Sequence, residues 1–350
     1  MSSPCECIGV LVGHSGYITC CAVYRLMVIS GSADRTIRLW SIEEGNCLMT
    51  LTGHGAFINR IACYGPLLLS TSFDGTARIW TLADRLTVIN NLKQGENGGG
   101  SVDEPEEEEL EGVEQTQEEF NQIKLKGGRS NNVTLVHRQT IKTTFGGCLH
   151  ILKGHERSVT QVGVVVTDAS LLESGIIQEL DIVVTTSADG TARTWSLASG
   201  EQRHVLAGHS GPVNCMAVDP KETQYVYTAG ADWVIKCWDV VTGEHLRDLK
   251  GHQQAVLCLL SHNRILYSGS ADNTVRAWAM EFGQCTRIYY RNTSAITCIQ
   301  YFNGIVYTGS NDHSARLYDS NSGVLKQTFT GHHNAISAIK VTRLFLIINE

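Results

Sequence analysis

An aspartate followed six residues later by a tryptophan occurs five times in this chain: Asp34/Trp40, Asp74/Trp80, Asp189/Trp195, Asp232/Trp238 and Asp272/Trp278. A sixth copy, Asp312/Tyr318, keeps the spacing with a phenol in place of the indole. Three steps between successive aspartates, 34 to 74, 232 to 272 and 272 to 312, are 40 residues long. A fixed period of this length restricts the chain to an array of small units, none of which can bury its apolar face alone.

Most units open on a Gly-His pair: Gly13-His14, Gly53-His54, Gly154-His155, Gly208-His209, Gly251-His252 and Gly331-His332. Short apolar runs rich in β-formers follow, such as residues 17–24 and 26–32, with turn residues between them. The aspartate sits in a tight turn, a third strand ends at the tryptophan, and a fourth, such as residues 47–52, leads to the next Gly-His. Four short strands per unit and no helical periodicity predict an antiparallel blade. A hydroxyl residue stands four places before every aspartate: Ser30, Ser70, Thr185, Thr228, Ser268 and Thr308. An even spacing in extended chain points both side chains the same way. We therefore expect a hydrogen-bond relay from histidine to hydroxyl to aspartate, with the tryptophan N–H as a further donor. Its members are His14, Ser30, Asp34 and Trp40; His54, Ser70, Asp74 and Trp80; His155, Thr185, Asp189 and Trp195. His209, Thr228, Asp232 and Trp238, then His252, Ser268, Asp272 and Trp278, complete it. The relay would satisfy polar groups between strands, where an orphan costs ~1–3 kcal/mol.

Taken together, the Gly-His, the hydroxyl, the turn aspartate and the tryptophan resemble the WD-repeat family of β-propellers, unit by unit. Only Trp238-Asp239 and Tyr318-Asp319 carry the terminal aspartate of the family's name. The resemblance implies an all-β fold, a seven-bladed propeller. The sixth unit has lost its Gly-His; aligning Cys285 with Cys47 puts Arg291-Asn292 in its place. Cys7, Cys47, Cys148 and Cys285 share one register, so residues 5–11 read as an orphan fourth strand that would close the ring on the last blade. That last blade is expected to be incomplete. His332 calls for an aspartate at about residue 352, and the chain ends at Glu350, with a first strand, a second and no third.

Asp74 to Asp189 spans 115 residues, far more than one period. Part of the excess is a longer loop at residues 167–180. Most is a long acidic insert in blade two, placed at 84–147 and Gly-rich at its start. Residues 95–123 hold eleven acids and no Lys or Arg, a composition that predicts disorder. Without those acids the formal net charge moves from −7 to about +4. The expected organisation is thus 1–83 (blades one and two), 84–147 (disordered insert) and 148–350 (blades three to seven, the last truncated).

Composition narrows the function classes. No run of 18 apolar residues exists, so no membrane span is expected. The amino terminus enters strand pattern too early for a signal peptide, and reduced thiols in the cytoplasm or nucleus are expected. The repeat-locked cysteines, Cys20, Cys215, Cys258 and Cys298 among them, read as small buried apolar residues. No metal or cofactor motif is present. A Ser/His/Asp trio that recurs around the ring reads as a structural device and not as a catalytic triad, which is built once. The chain is therefore read as a non-enzyme.

Positions that differ between units are more informative. In the resembled family the Gly-His loop and the aspartate turn lie on one rim, and there Tyr17, Phe57, Phe73, Arg157, Trp233 and His313 stand out. Trp233 is the one tryptophan of six outside the repeat position. Large aromatics and arginine on a rim are typical interface anchors. The expected function is a protein-interaction scaffold for a protein or peptide segment, monomeric if the ring closes. Nucleic acid is disfavoured by the mild charge. An alternative is a substrate receptor of a ubiquitin ligase. None of the third-strand ends carries the Trp-Asp-x-Arg of many such receptors, which counts against it.

Overall fold

The structure is a computed structural model that describes residues 10–83, 85–91, 136–218, 224–341 and 346–349. Six four-stranded antiparallel sheets dominate it. The first consists of Ile18–Tyr24, Met27–Ser32, Ile37–Ser41 and Cys47–Leu51, paired in chain order. The second takes Ile58–Tyr64, Leu67–Ser72 and Thr76–Thr81, and completes itself with the distant strand Cys148–Lys153. First strands of the remaining units are Val159–Val165, Val213–Val218, Val256–His262, Ile296–Phe302 and Ala338–Val341. Each packs against the first strand of the unit before it, so the sheets follow one another as blades around an axis with first strands innermost. This is a β-propeller arrangement.

The same local device recurs in blade after blade. Register shifts by one residue just after the first strand begins, between Ile58 and Arg60, for example, or Val213 and Cys215. Such a bulge re-aims the extra side chain. Here it points at the next blade: Asn59 donates to the Val159 carbonyl at 2.6 Å, Thr160 to Val213 at 2.7 Å and Asn214 to Val256 at 3.1 Å. On the outer side, His150, His204 and Arg287 in mid fourth strand donate to Ala198, Val241 and Ser320 of the following blade. Blades are thus tied together at both radii.

Between blades the core is aliphatic. Four residues after each unit's histidine (or Asn292) stand Ile58, Val159, Val213, Val256, Ile296 and Ile336, all 0 % exposed. Ile18, at the same place in blade one, is 51 % exposed. Its neighbours Tyr17, Val23 and Leu26 are also open to solvent, so among the described residues this face of blade one lacks the cover that the equivalent place has in the other blades. At the far end the seventh unit holds two paired strands, Ala338–Val341 and Leu346–Asn349, with Ile336 and Ile339 packed on blade six.

Three expectations need revision. Segment 84–147 was expected to lack structure, yet strands Arg85–Asn91 and Val136–Lys142 pair within it. Ile176–Gln178, from the long loop of blade three, runs parallel to Arg85–Asn91 and completes a three-stranded sheet. Leu86, Leu172 and Ile177 supply the buried apolar contacts that make this pairing favourable. That loop also holds the one helix among the described residues, Ala169–Glu173, capped by Asp168. Finally, Cys47, Cys148 and Cys285 are exposed and not buried, because the fourth strand is the outer edge of its blade. The acidic stretch, Cys7 and most of the expected closing strand at 5–11 lie outside the described residues. Among the described residues no helix is long and apolar enough to cross a membrane.

Candidate functional site

In an antiparallel blade the loop before the first strand and the turn between the second and third lie at the same end. The structure stitches them together. The residue before the aspartate donates its N–H to the carbonyl three places after the histidine: Ala33 to Tyr17, Phe73 to Phe57, Ala188 to Ser158, Ala231 to Pro212 and Ala271 to Ala255, all at 2.8–3.0 Å. Beneath this stitch lies the relay. In blade one His14 Nδ1 meets Asp34 Oδ2 at 2.7 Å and His14 Nε2 meets Ser30 Oγ at 2.8 Å, while Trp40 Nε1 donates to Ser30 Oγ at 2.7 Å. The sets on Asp74, Asp189, Asp232 and Asp272 repeat these three contacts within 2.7–2.9 Å.

The order differs from the one expected. Histidine stands in the middle and the hydroxyl never reaches the aspartate. Donor chemistry assigns the protons: indole N–H can only donate and carboxylate can only accept, so the hydroxyl proton goes to Nε2 and the Nδ1 proton to aspartate. The trio has the connectivity of a hydrolytic triad. Its hydroxyl cannot serve as a nucleophile, because Ser70, Thr185, Thr228 and Ser268 are 0 % exposed and already accept from the indole. No group of three or more His, Cys, Asp or Glu among the described residues is placed to hold a metal ion.

Two further hydroxyls complete the turn in every blade but the fourth, and reading the sequence did not single them out. Two residues after the aspartate, Thr36, Thr76, Thr191 and Thr274 donate to Oδ1 at 2.6–2.7 Å. Two residues before it, Ser32, Ser72, Ser187, Ser270 and Ser310 accept the aspartate N–H at 3.1 Å. Their fixed offsets were the available signal. Blade six rebuilds the relay: Asn292 replaces histidine, Tyr318 replaces tryptophan, and Arg316 Nη1 bonds both Asn292 at 2.8 Å and Asp312 at 2.7 Å.

Burial acts to raise these carboxyls, and the hydrogen bonds outweigh it. Asp34, Asp74, Asp232, Asp272 and Asp312 are held below the usual carboxylate range, and Asp189 at about 2. Burial lowers His155 and His150, against the opposing bonds to Asp189 and the Ala198 carbonyl. Both effects have one sign. A carboxyl depressed in the fold contributes stability above its unfolded value of 3.8 that is lost as pH falls through the folded value. A histidine kept neutral by the fold costs stability once pH drops below its unfolded 6.5. The urea midpoint is therefore expected to decline gently from pH 7 to 5 and steeply below 4. A midpoint that rises on acidification between pH 7 and 4 contradicts this.

Above the relay the rim is uneven. Phe57 and Phe73 pack ring against ring, tilted by 30° with centroids 4.7 Å apart, held together by the stitch between their backbones, and both face solvent. The next turn residue, Gly75, abuts blade three, since a Cβ there would lie 3.4 Å from the Arg157 carbonyl. Phe57, Phe73 and exposed Arg157 thus form one continuous stretch of rim. Tyr17, Trp233 and His313 are also exposed, on blades one, four and six, without a ring contact to that pair.

Blade four departs furthest from the pattern. The place after the aspartate is left-handed in all six blades, with φ of +72° at Arg35, +79° at Gly75, +85° at Gly190, +67° at Trp233, +67° at Asn273 and +62° at His313. Glycine and asparagine enter this region cheaply, whereas a large side chain costs roughly 1–2 kcal/mol. Trp233 bears that cost while half exposed. The turn also lacks both supporting hydroxyls: Gly230 stands for serine and Val234 for threonine. A Cβ at Gly230 would fall 1.9 Å from the Pro212 carbonyl oxygen, so serine does not fit beside Pro212.

The family model described as WD domain, G-beta repeat matches residues 5–41, 45–81, 146–196, 200–239, 243–279 and 283–319. No curated protein matches the chain. Each matched segment ends at or one residue past a relay tryptophan, or the tyrosine that replaces it, and together they cover more than half of the sequence. The chain belongs to the WD40-repeat family.

Proposed function

We propose that this protein is a non-enzymatic scaffold, a seven-bladed propeller that holds a protein or peptide segment on the rim bearing Tyr17, Phe57, Phe73, Arg157, Trp233 and His313. Trp233 carries the reading. A tryptophan is kept in a left-handed turn, half exposed and without its supporting hydroxyls, where glycine or asparagine would be less strained. Strain of this kind concentrates where a ligand is gripped. The buried relay fixes the turns beneath the rim, so a ligand meets loops that are already ordered and binding costs little entropy. Seven blades are favoured by the burial of Ile336, which occupies the inter-blade place of a seventh unit. We also propose WD repeat-containing protein 86, a small propeller protein with little beyond its blades, as a relative.

Peptides selected from a displayed random library against the wild-type protein provide the test. Trp233→Gly is expected to weaken their binding by about 30-fold or more, in line with an aromatic hot spot. The same change is expected to raise folding stability by about 1 kcal/mol through relief of the left-handed strain. Selected peptides that bind Trp233→Gly and Phe73→Ala as tightly as wild type refute the rim as the site.

A further inference from the structure

The axial channel is lined by the inner strands, and their charge is one-sided. The described first strands contain no Asp or Glu, and their only Lys or Arg residues are Arg60 and Lys340. Arg60 lies just past the bulge of blade two, paired with Thr71. The same register holds Cys20 opposite Gly31, Gln161 opposite Thr186, Cys215 opposite Ala229, Cys258 opposite Gly269 and Cys298 opposite Gly309. These residues form one level around the axis, and all but Arg60 and Gln161 are small thiols.

Arg60 is exposed, and among the described residues no hydrogen bond or ion pair engages its guanidinium. Its charge nevertheless acts on Cys20, Cys215, Cys258 and Cys298, which belong to blades one, four, five and six. A blade-two side chain comes near all four only at the axis. Gln161 Oε1 accepts from the Met216 N–H at 2.7 Å and its amide is uncharged, which leaves the guanidinium as the charged donor at this level. A channel of one sign between low-dielectric walls focuses its field on an entering anion.

We propose that the channel binds a carboxylate carried by the segment held on the rim, with Arg60 as the group that grips it. This rests on the rim reading and adds the chemistry of the ligand. Phe57 stands one residue before the strand Ile58–Tyr64 that carries Arg60, so the two Cα atoms are no more than about 11 Å apart. A single planar fork of N–H donors matches the two oxygens and single charge of a carboxylate. A phosphate dianion calls for more cations than this level supplies.

N-acetylglutamate and N-acetylglutamine, titrated separately into the full chain by saturation-transfer NMR, with inorganic phosphate added as a competitor of N-acetylglutamate, form the test. N-acetylglutamate is expected to bind at least about tenfold more tightly than its amide. Arg60→Gln removes that preference and Arg60→Lys keeps part of it. Equal affinities for the acid and the amide overturn the proposal, as does phosphate binding as tightly as N-acetylglutamate or a preference that survives Arg60→Gln. Library peptides sensitive to Trp233→Gly but not to Arg60→Gln would leave the rim standing and remove the channel. A glutamate preference that depends on Arg60, together with peptides indifferent to Trp233→Gly and Phe73→Ala, would do the reverse.

Discussion

Ile58→Ala is expected to lower stability by about 2–5 kcal/mol, and Ile18→Ala by less than about 1 kcal/mol. The two isoleucines hold the same place in successive repeats, four residues after the histidine. Ile58 is fully buried against blade one, where a Cβ added to Gly31 would lie 2.7 Å from its Cγ2. Truncating it removes apolar burial and opens a cavity in a contact too tight to collapse. Ile18 faces solvent over half its surface, so little burial is there to lose. Urea unfolding followed by tryptophan fluorescence reads the difference. Equal losses would mean that blade one is covered in solution and that the ring closes over it.

Asp272→Ala is expected to cost about 3 kcal/mol and Asp232→Ala distinctly less, although the two carboxylates are equally buried, with side chains 8 % and 6 % exposed. Asp272 takes His252 at 2.7 Å, Thr274 Oγ1 at 2.6 Å, the Thr274 N–H at 2.9 Å and the Gln253 N–H at 3.0 Å. Its loss strands four donors, one of them the histidine that holds Ser268. Asp232 takes His209 at 2.7 Å, and its backbone contacts to Ser210 and Val234 are longer, at 3.2 and 3.4 Å. Val234 offers no hydroxyl. Thermal melts of the two variants side by side decide the matter. A larger loss at Asp232 would show that the blade-four turn is held by something other than these bonds.

Much of the fold was legible because it repeats. A spacing of six between aspartate and tryptophan, copied down the chain, set the blade length, the strand count and the members of the relay. Observed strand ends fall within a residue of the expected ones in blade one: Ile18–Tyr24 against 17–24, and Cys47–Leu51 against 47–52. Each of these contacts is local to one unit, so offsets along the chain encode it. The order within the relay was less legible, because spacing names the partners without saying which atom lies between which.

The candidate site was legible only as a set of unusual residues. Composition marked Trp233 and the phenylalanines as out of pattern. It could not show that Phe57 and Phe73 pack together while Tyr17 and His313 stand apart, because side-chain contacts at a rim depend on how the loops meet in space.

The sequence alone determined the unit: four short strands, the histidine, hydroxyl, aspartate and tryptophan of the relay, and a turn whose offsets are too regular to be accidental. Tertiary structure decided what lies between units and across the axis. Bulges aim Asn59, Thr160 and Asn214 into the next blade, and Ile176–Gln178 adds itself to a strand 89 residues earlier, Ile177 opposite Val88. Packing in series buries six equivalent aliphatics and leaves Ile18 open. Arg60 looks like one more strand residue until the inner strands converge and set its charge among thiols from four other blades. The physical reason is common to all of these. A repeat encodes contacts within its own period, whereas contacts between repeats depend on how identical faces meet in space.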